Sequence, residues 1–354
     1  MKKTSKIMSL VLAGVMVLSM TACGGNTAET TSAAAKTQET AADTASKAEE
    51  TTGAEASESE TAAKAEGTTY KIGVLQLVQH TALDAANDGF IAALDDAGIA
   101  YEVDQQNASG DQSACQTVAS KFANEKKDLI LAIATPAAQA MVGAVEDTPV
   151  LITAVTDPAE SGLVDTNEKP GANVTGTSDL TPVKEQIDLL KQLVPEAKTV
   201  GVLYCSAESN SKIQADMAKE AIAAAGMESK EYTVSSSNEI QTVVQSMVGA
   251  VDAVYAPTDN VIAAGMATVG MVAGDNNLPV ICGEAGMVQN GGLATYGIDY
   301  YQLGYMTGQQ AVKILTEGAS PADMPIEYLP AEKCELTVNE ETAQTLGIDV
   351  SGLK

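Results

Sequence analysis

Two stretches of the chain carry an apolar run straight into groups able to hold a ligand. Residues 128–141 read DLILAIATPAAQAM, in which Leu129 to Ala134 are apolar and Thr135-Pro136 opens a run of small residues at helical spacing. Residues 252–260 read DAVYAPTDN, where an aspartate again leads a short apolar run, here into Pro257, Thr258, Asp259 and Asn260. A hydroxyl at the start of a helix, backed by small side chains, leaves backbone N–H groups and the positive end of the helix dipole open to an anion. Pro136 suits that first turn because its missing N–H would have had no partner there. The competing role for Thr135 is a simple helix cap.

Titratable candidates for catalysis are few. His80 is the single histidine, placed after the first apolar run. Its imidazole could stack on an aromatic ligand, donate to a carboxylate, or serve only a structural hydrogen bond. Opposed carboxylates such as Asp157 and Glu284 could carry acid–base chemistry. No G-x-S-x-G nucleophile elbow, H-E-x-x-H metal motif or glycine-rich phosphate loop occurs. Binding without catalysis is therefore the expectation, with no metal and no cofactor. Cys115, Cys205, Cys282 and Cys334 lack metal-ligand spacing and read as small buried hydrophobes, with a disulfide between two of them possible outside the cytoplasm.

The elements that would position these groups follow from patterning. The chain has 354 residues, enough for two domains. Lys2, Lys3 and Lys6 precede a short apolar run from Ile7 to Met20, and residues 1–22 read as a secretory signal. Leu18 to Gly25 resembles a bacterial lipobox, which would make Cys23 the lipidated first residue. Residues 23–69 are alanine, threonine, serine, glutamate and lysine with almost no large apolar residue, so they read as a disordered acidic tether.

Net charge is −27, which disfavours nucleic acid and anionic lipid headgroups as partners. All 20 basic residues are lysine and none is arginine. A ligand carboxylate must then be met by backbone N–H, hydroxyl, amide or lysine groups in place of a guanidinium fork.

Beyond Tyr70 strand-like and helix-like segments alternate, which implies parallel sheets with right-handed crossovers. A strand is expected from Ile72 to Val78, a helix from about Asp111 to Lys126, a buried strand ending at Thr135 and a helix from Pro136. The second half repeats this order. Lys71 corresponds to Lys198, Gly98 to Gly226, Asp128 to Asp252 and Pro149 to Pro279, all at nearly one spacing. Two similar α/β lobes follow, and their strand ends would face each other across a cleft.

The stretches KIGVLQLVQHTALDAANDGF, ILAIATPAAQAM, TAVTDPAESGLV, NVTGTSD, VYAPTDN and GGLATYGIDYYQLGYMTG resemble extracytoplasmic substrate-binding proteins of ABC importers, in the tryptophan and tyrosine transport subfamily. The resemblance implies a type I periplasmic-binding fold, α/β with two doubly wound parallel-sheet lobes joined by three hinge segments. Residues 70–179 with a return segment near 299–330 would form the N-terminal lobe. Residues 180–298 with a tail near 331–354 would form the other. It also implies a monomeric, lipid-anchored protein that closes on a small zwitterion, an aromatic or other apolar amino acid, and delivers it to an ABC permease. A sugar or nucleoside cargo, or presentation of ligand to a sensor, are the alternatives.

Carried over by position, the candidate contacts of the first lobe are Gln79 and His80, Thr135 with Ala137, and Thr156 with Asp157. Those of the second are Ser206 with Asn210, then Thr258, Asp259, Asn260 and Glu284, with Asp299 at a crossover. Thr135 and the N–H of Ala137 would hold the ligand carboxylate. Asp157, Asp259 or Glu284 would take its ammonium. Aromatic content is 3% with no tryptophan, so a ligand ring would rest on aliphatic walls, peptide planes, Tyr204, Tyr255 or, by preference, Tyr296.

Overall fold

The computed structural model describes residues 67–353. The signal segment 1–22, Cys23 and nearly all of the tether lie outside the described residues. The chain begins with β1 (Thr69–Gln76), α1 (Thr81–Asp96), β2 (Ala100–Asn107), α2 (Gln112–Glu125), β3 (Leu129–Ile133), α3 (Thr135–Val142), β4 (Val150–Val155) and β5 (Val174–Ser178). It crosses to a second body made of α4 (Val183–Leu193), β6 (Thr199–Cys205), α5 (Ser209–Ala224), β7 (Glu228–Val234), α6 (Ile240–Met247) and β8 (Ala253–Ala256). That body continues through α7 (Asn260–Ala264), α8 (Met266–Asp275), β9 (Val280–Cys282), α9 (Ala285–Gln289) and β10 (Ala294–Gly297). The chain then returns to the first body with α10 (Tyr300–Glu317) and β11 (Glu327–Tyr328), and crosses once more into β12 (Glu335–Val338) and α11 (Glu340–Leu346).

The two sheets have matching orders, β11-β5-β4-β3-β1-β2 and β12-β10-β9-β8-β6-β7. Every pairing is parallel except that of β12 with β10. The expected pair of doubly wound α/β lobes is thus observed. Strands β3 and β4 are buried along their whole length, as parallel strands covered by helices on both faces must be. The edge strands β2 and β7 are mostly open and polar.

The repeated aspartates have a structural role in both lobes. Asp128 Oδ2 accepts the Lys71 N–H at 2.8 Å, and Asp252 Oδ2 accepts those of Lys198 and Thr199 at 2.8 Å each. Each pins the start of its lobe's first strand to the neighbouring one.

Two boundaries differ from the sequence reading. Strand β1 stops at Gln76, although the Leu77 N–H still bonds to the Ile133 carbonyl and the Gln76 carbonyl accepts the Ala108 N–H. Strand β3 stops at Ile133, and Thr135 begins the helix in place of ending the strand. Ala134 between them has φ 83, a turn that lets the chain reverse from strand to helix within one residue. A second non-glycine residue with positive φ, Ala154 at φ 54, sits where the pairing of β4 with β5 shifts register, a β-bulge at the cleft edge.

Helices α1 and α10 pack at glycine contacts, although they lie more than two hundred residues apart in sequence. A Cβ at Gly304 would overlap the Ala86 carbonyl, and one at Gly89 would overlap that of Tyr301. Gly304→Ala is expected to lower unfolding free energy by about 1–3 kcal/mol, since backbone must move to admit the methyl group. Denaturant melts of the two proteins would check this.

Candidate functional site

Because the strands of each sheet run parallel, their carboxyl ends share one edge, and residues following different strands meet there. In the first lobe that edge carries His80 after β1, Thr135 after β3, Thr156 after β4 and Asp179 after β5. In the second it carries Glu208 after β6, Thr258 to Asn260 after β8, and Glu284 after β9. Residues of both edges line one small, partly open cavity. Its wall is His80, Leu83, Ala154, Thr156, Asp179 and Tyr300 from one lobe, and Asn210, Thr258, Asp259, Asn260, Ala263 and Glu284 from the other.

Seven sequence candidates therefore come together: His80, Thr156, Asn210, Thr258, Asp259, Asn260 and Glu284. The others lie elsewhere. Gln79, Ser206 and Asp299 are exposed, and Asp299 caps α10 by accepting the Gln302 N–H at 3.1 Å. Asp157 is committed to its own loop, where Oδ1 accepts from Ala159 N, Glu160 N and Asn167 Nδ2 at 3.1 Å each. Thr135 and Ala137 are buried at the sheet edge between His80 and Thr156, outside the cavity lining, and the Thr135 hydroxyl has no partner within the protein. Tyr296 packs against the apolar core of the second lobe. Tyr255 donates to Gln186 Oε1 at 2.7 Å inside that lobe, and Tyr204 donates to Glu231. The tyrosine that does line the cavity is Tyr300.

Direct bonds join the lobes. His80 Nε2 lies 3.3 Å from Asn260 Oδ1. Gln214 Nε2 donates to Thr156 Oγ1 across the cleft at 3.0 Å and to Thr258 Oγ1 in its own lobe, while Gln214 Oε1 accepts the Thr258 N–H at 3.2 Å. Gln112 Nε2 donates to the Ala207 carbonyl at 3.0 Å, and Gln139 Nε2 to Ser209 Oγ at 3.3 Å. Gln214 is fully buried, so cutting it back strands two threonine hydroxyls. Gln214→Ala is expected to weaken ligand affinity by about 1–3 kcal/mol through a less stable closed form. Small-angle scattering at saturating ligand should then still show compaction; the same affinity as the parent would remove Gln214 from the closing contacts.

The cavity is acidic. Burial pushes Asp179 up to about 6, against the pull of its bond from Tyr300 Oη at 2.8 Å. The Thr156 hydroxyl is near enough to favour the charged form, yet Asp179 Oδ1 completes no hydrogen bond within the protein. Burial likewise pushes Glu284 up to about 7, although Oε1 and Oε2 accept from Met287 N at 2.7 Å and Gly286 N at 2.5 Å.

Behind the wall, burial and the neighbouring Asp259 push Glu208 up to about 8. Burial raises Asp259 too. Asp259 Oδ2 and Oδ1 are occupied by Cys205 N at 2.5 Å and Ile262 N at 2.8 Å, and Glu208 holds Asn260 Nδ2 at 2.6 Å. Of these acids Asp179 alone keeps a buried oxygen without a protein partner.

The family model for ABC transporter substrate binding proteins matches residues 71–352. The chain belongs to that family. It is 41% identical over 352 residues to the tyrosine-binding protein of Clostridioides difficile strain R20291, covering 98% of this chain and 93% of that one. A solved ABC domain from Streptococcus pneumonia in complex with L-Trp matches with TM-score 0.77 and 40% identity, over 80% of this chain and 96% of the other. The ligand-free, open structure of a Clostridium difficile substrate binding protein with adhesive properties matches at 47% identity but TM-score 0.61, over 79% and 95% of the two chains.

The relative with more identical residues superposes less well. This substrate-binding protein superposes better on the L-Trp complex than on the open structure. The interlobe bonds from His80, Gln112, Gln139 and Gln214 are those of closed lobes.

Sequence reasoning missed Asp179, Tyr300, Leu83, Ala154 and Ala263 as wall residues, and Gln214 as the cross-cleft link. Asp179 had a signal: it ends the stretch NVTGTSD, directly after a strand. Gln214 lies mid-helix in α5, where nothing local marks it.

Proposed function

We propose that this protein is the lipid-anchored, extracytoplasmic component that captures an amino acid with an aromatic or other apolar side chain and delivers it to the permease of an ABC importer. The observation that carries the reading is Asp179, a buried carboxylate with an open oxygen in a cavity walled by both lobes. A buried charge needs a partner, and a ligand ammonium supplies it. Leu83, Ala154, Ala263 and the ring of Tyr300 offer the apolar surface for a side chain. Two relatives support an aromatic cargo, one named for tyrosine and one solved with L-Trp.

Contacts from both walls are complete only when the lobes are shut, so ligand shifts the population toward the closed form and the shut form is what the permease receives. Thermal-shift and calorimetric screening of the twenty amino acids, with sugars and nucleosides as controls, tests this. L-tryptophan or L-tyrosine should give the largest stabilisation; a response confined to sugars or nucleosides would overturn it. Cys23→Ala should release the protein from the membrane fraction, and retention there would remove the lipid anchor.

A further inference from the structure

Resting on the reading of the interlobe cavity as the ligand site, we propose that it recognises its ligand by the amine end, so that primary arylalkylamines without a carboxylate form a second class of ligand.

Three wall residues carry a buried polar atom with no partner within the protein: His80 Nδ1, Asp179 Oδ1 and Asn210 Oδ1. The two oxygens are acceptors. Asn210 cannot be reversed, because its Nδ2 faces Glu208 Oε2 at 3.1 Å, Ser211 Oγ at 3.2 Å and the Thr258 carbonyl at 3.4 Å.

His80 is an acceptor by the same bookkeeping of donors. Asn260 Nδ2 donates to Glu208 Oε2 at 2.6 Å, which fixes Asn260 Oδ1 as the atom toward His80 Nε2. Nε2 therefore carries the proton, and burial keeps the imidazole neutral, so Nδ1 presents a lone pair. Each open position wants a donor, and an alkylammonium brings N–H donors together with a positive charge for Asp179.

The opposite demand is missing from the wall. No lysine lines the cavity and the chain has no arginine. No side chain of the wall leaves a buried donor open. A ligand carboxylate thus finds no open donor among the wall side chains, and it would sit beside Asp179, Asp259 and Glu284. Removing it relieves that repulsion, whereas removing the ammonium leaves the buried Asp179 charge and its open oxygen unmet.

Calorimetry on the full chain at pH 7.5 with three matched compounds tests this: L-tryptophan, tryptamine and indole-3-propionate, repeated with L-tyrosine, tyramine and 3-(4-hydroxyphenyl)propionate. The amine is expected to bind within about a hundredfold of its amino acid, and the deaminated acid to give no saturable heat. An amino acid that binds while its amine is silent would overturn the inference and leave the proposed cargo standing. An amine that binds where the amino acid does not would uphold the inference and overturn the cargo. A deaminated acid that binds as well as the amine would overturn the inference, and silence from all six compounds would overturn both.

Discussion

Asp179→Asn is expected to weaken binding of the amino-acid ligand by about 2–5 kcal/mol, roughly 30-fold to several thousandfold, because the ammonium loses the one buried charge that faces it. The substitution keeps the shape and one acceptor oxygen. It also removes a carboxylate whose ionisation burial opposes, so the ligand-free fold should be no less stable at pH 7. Loss of affinity without loss of stability is thus the diagnostic pair, read by calorimetry and thermal melting on the same samples. Glu284→Gln should behave differently. Both Glu284 oxygens already accept from the start of α9, so its loss should lower stability and affect affinity less. The reverse ranking of the two variants would move the ammonium to Glu284.

Stability and affinity should also depend on pH in opposite senses. Asp179 at about 6, Glu284 at about 7 and Glu208 at about 8 all hold their protons more tightly folded than unfolded. The folded chain therefore binds more protons than the unfolded one between the ordinary carboxylate range and these values. Stability of the ligand-free protein then falls as pH rises from about 5 to 8, by roughly 1.4 kcal/mol per pH unit for each group titrating. Carboxylates held low by ion pairs or backbone N–H groups, such as Asp104, Asp216 and Asp252, ionise below this window and do not offset it, whereas His80, kept neutral by burial, offsets one of the three acids below its ordinary pKa of 6.5.

Ligand affinity runs the other way. An ammonium favours the ionised Asp179, so binding should strengthen as pH rises through about 6. Melting curves and calorimetry at half-unit intervals from pH 5 to 8 give both slopes. A ligand-free protein that grows steadily more stable with pH would contradict the buried-acid description.

How much of this was legible differs by element. The lobes were readable because parallel strands buried on both faces appear as continuous apolar runs, and because the chain states its pattern twice. Asp128 and Asp252 recur for a local reason, each bonding the first residues of a neighbouring strand, and a local reason survives in sequence. Thr258, Asp259, Asn260 and Glu284 were found for the same cause: each stands directly at a strand exit.

The misses are residues placed by the return of the chain. Tyr300 reaches the first lobe only because α10 crosses back to lie on α1, a contact fixed by Gly89 and Gly304. Asp157 follows β4 as Asp179 follows β5, yet bonds from Ala159, Glu160 and Asn167 commit it to its own loop. Tyr296 and Tyr300 differ by four positions, and only the end of β10 between them decides which faces the cleft.

Asp179 follows β5 on the way out of the first lobe, and Tyr300 follows β10 on the way back. The bond between them ties two of the connecting segments together at the wall of the cavity. Fulcrum and grip are consequently the same pair of residues. In the function proposed above, a cargo ammonium held by Asp179 would bear directly on the segments that connect the halves, so that parting them and letting go of the amine would be one movement.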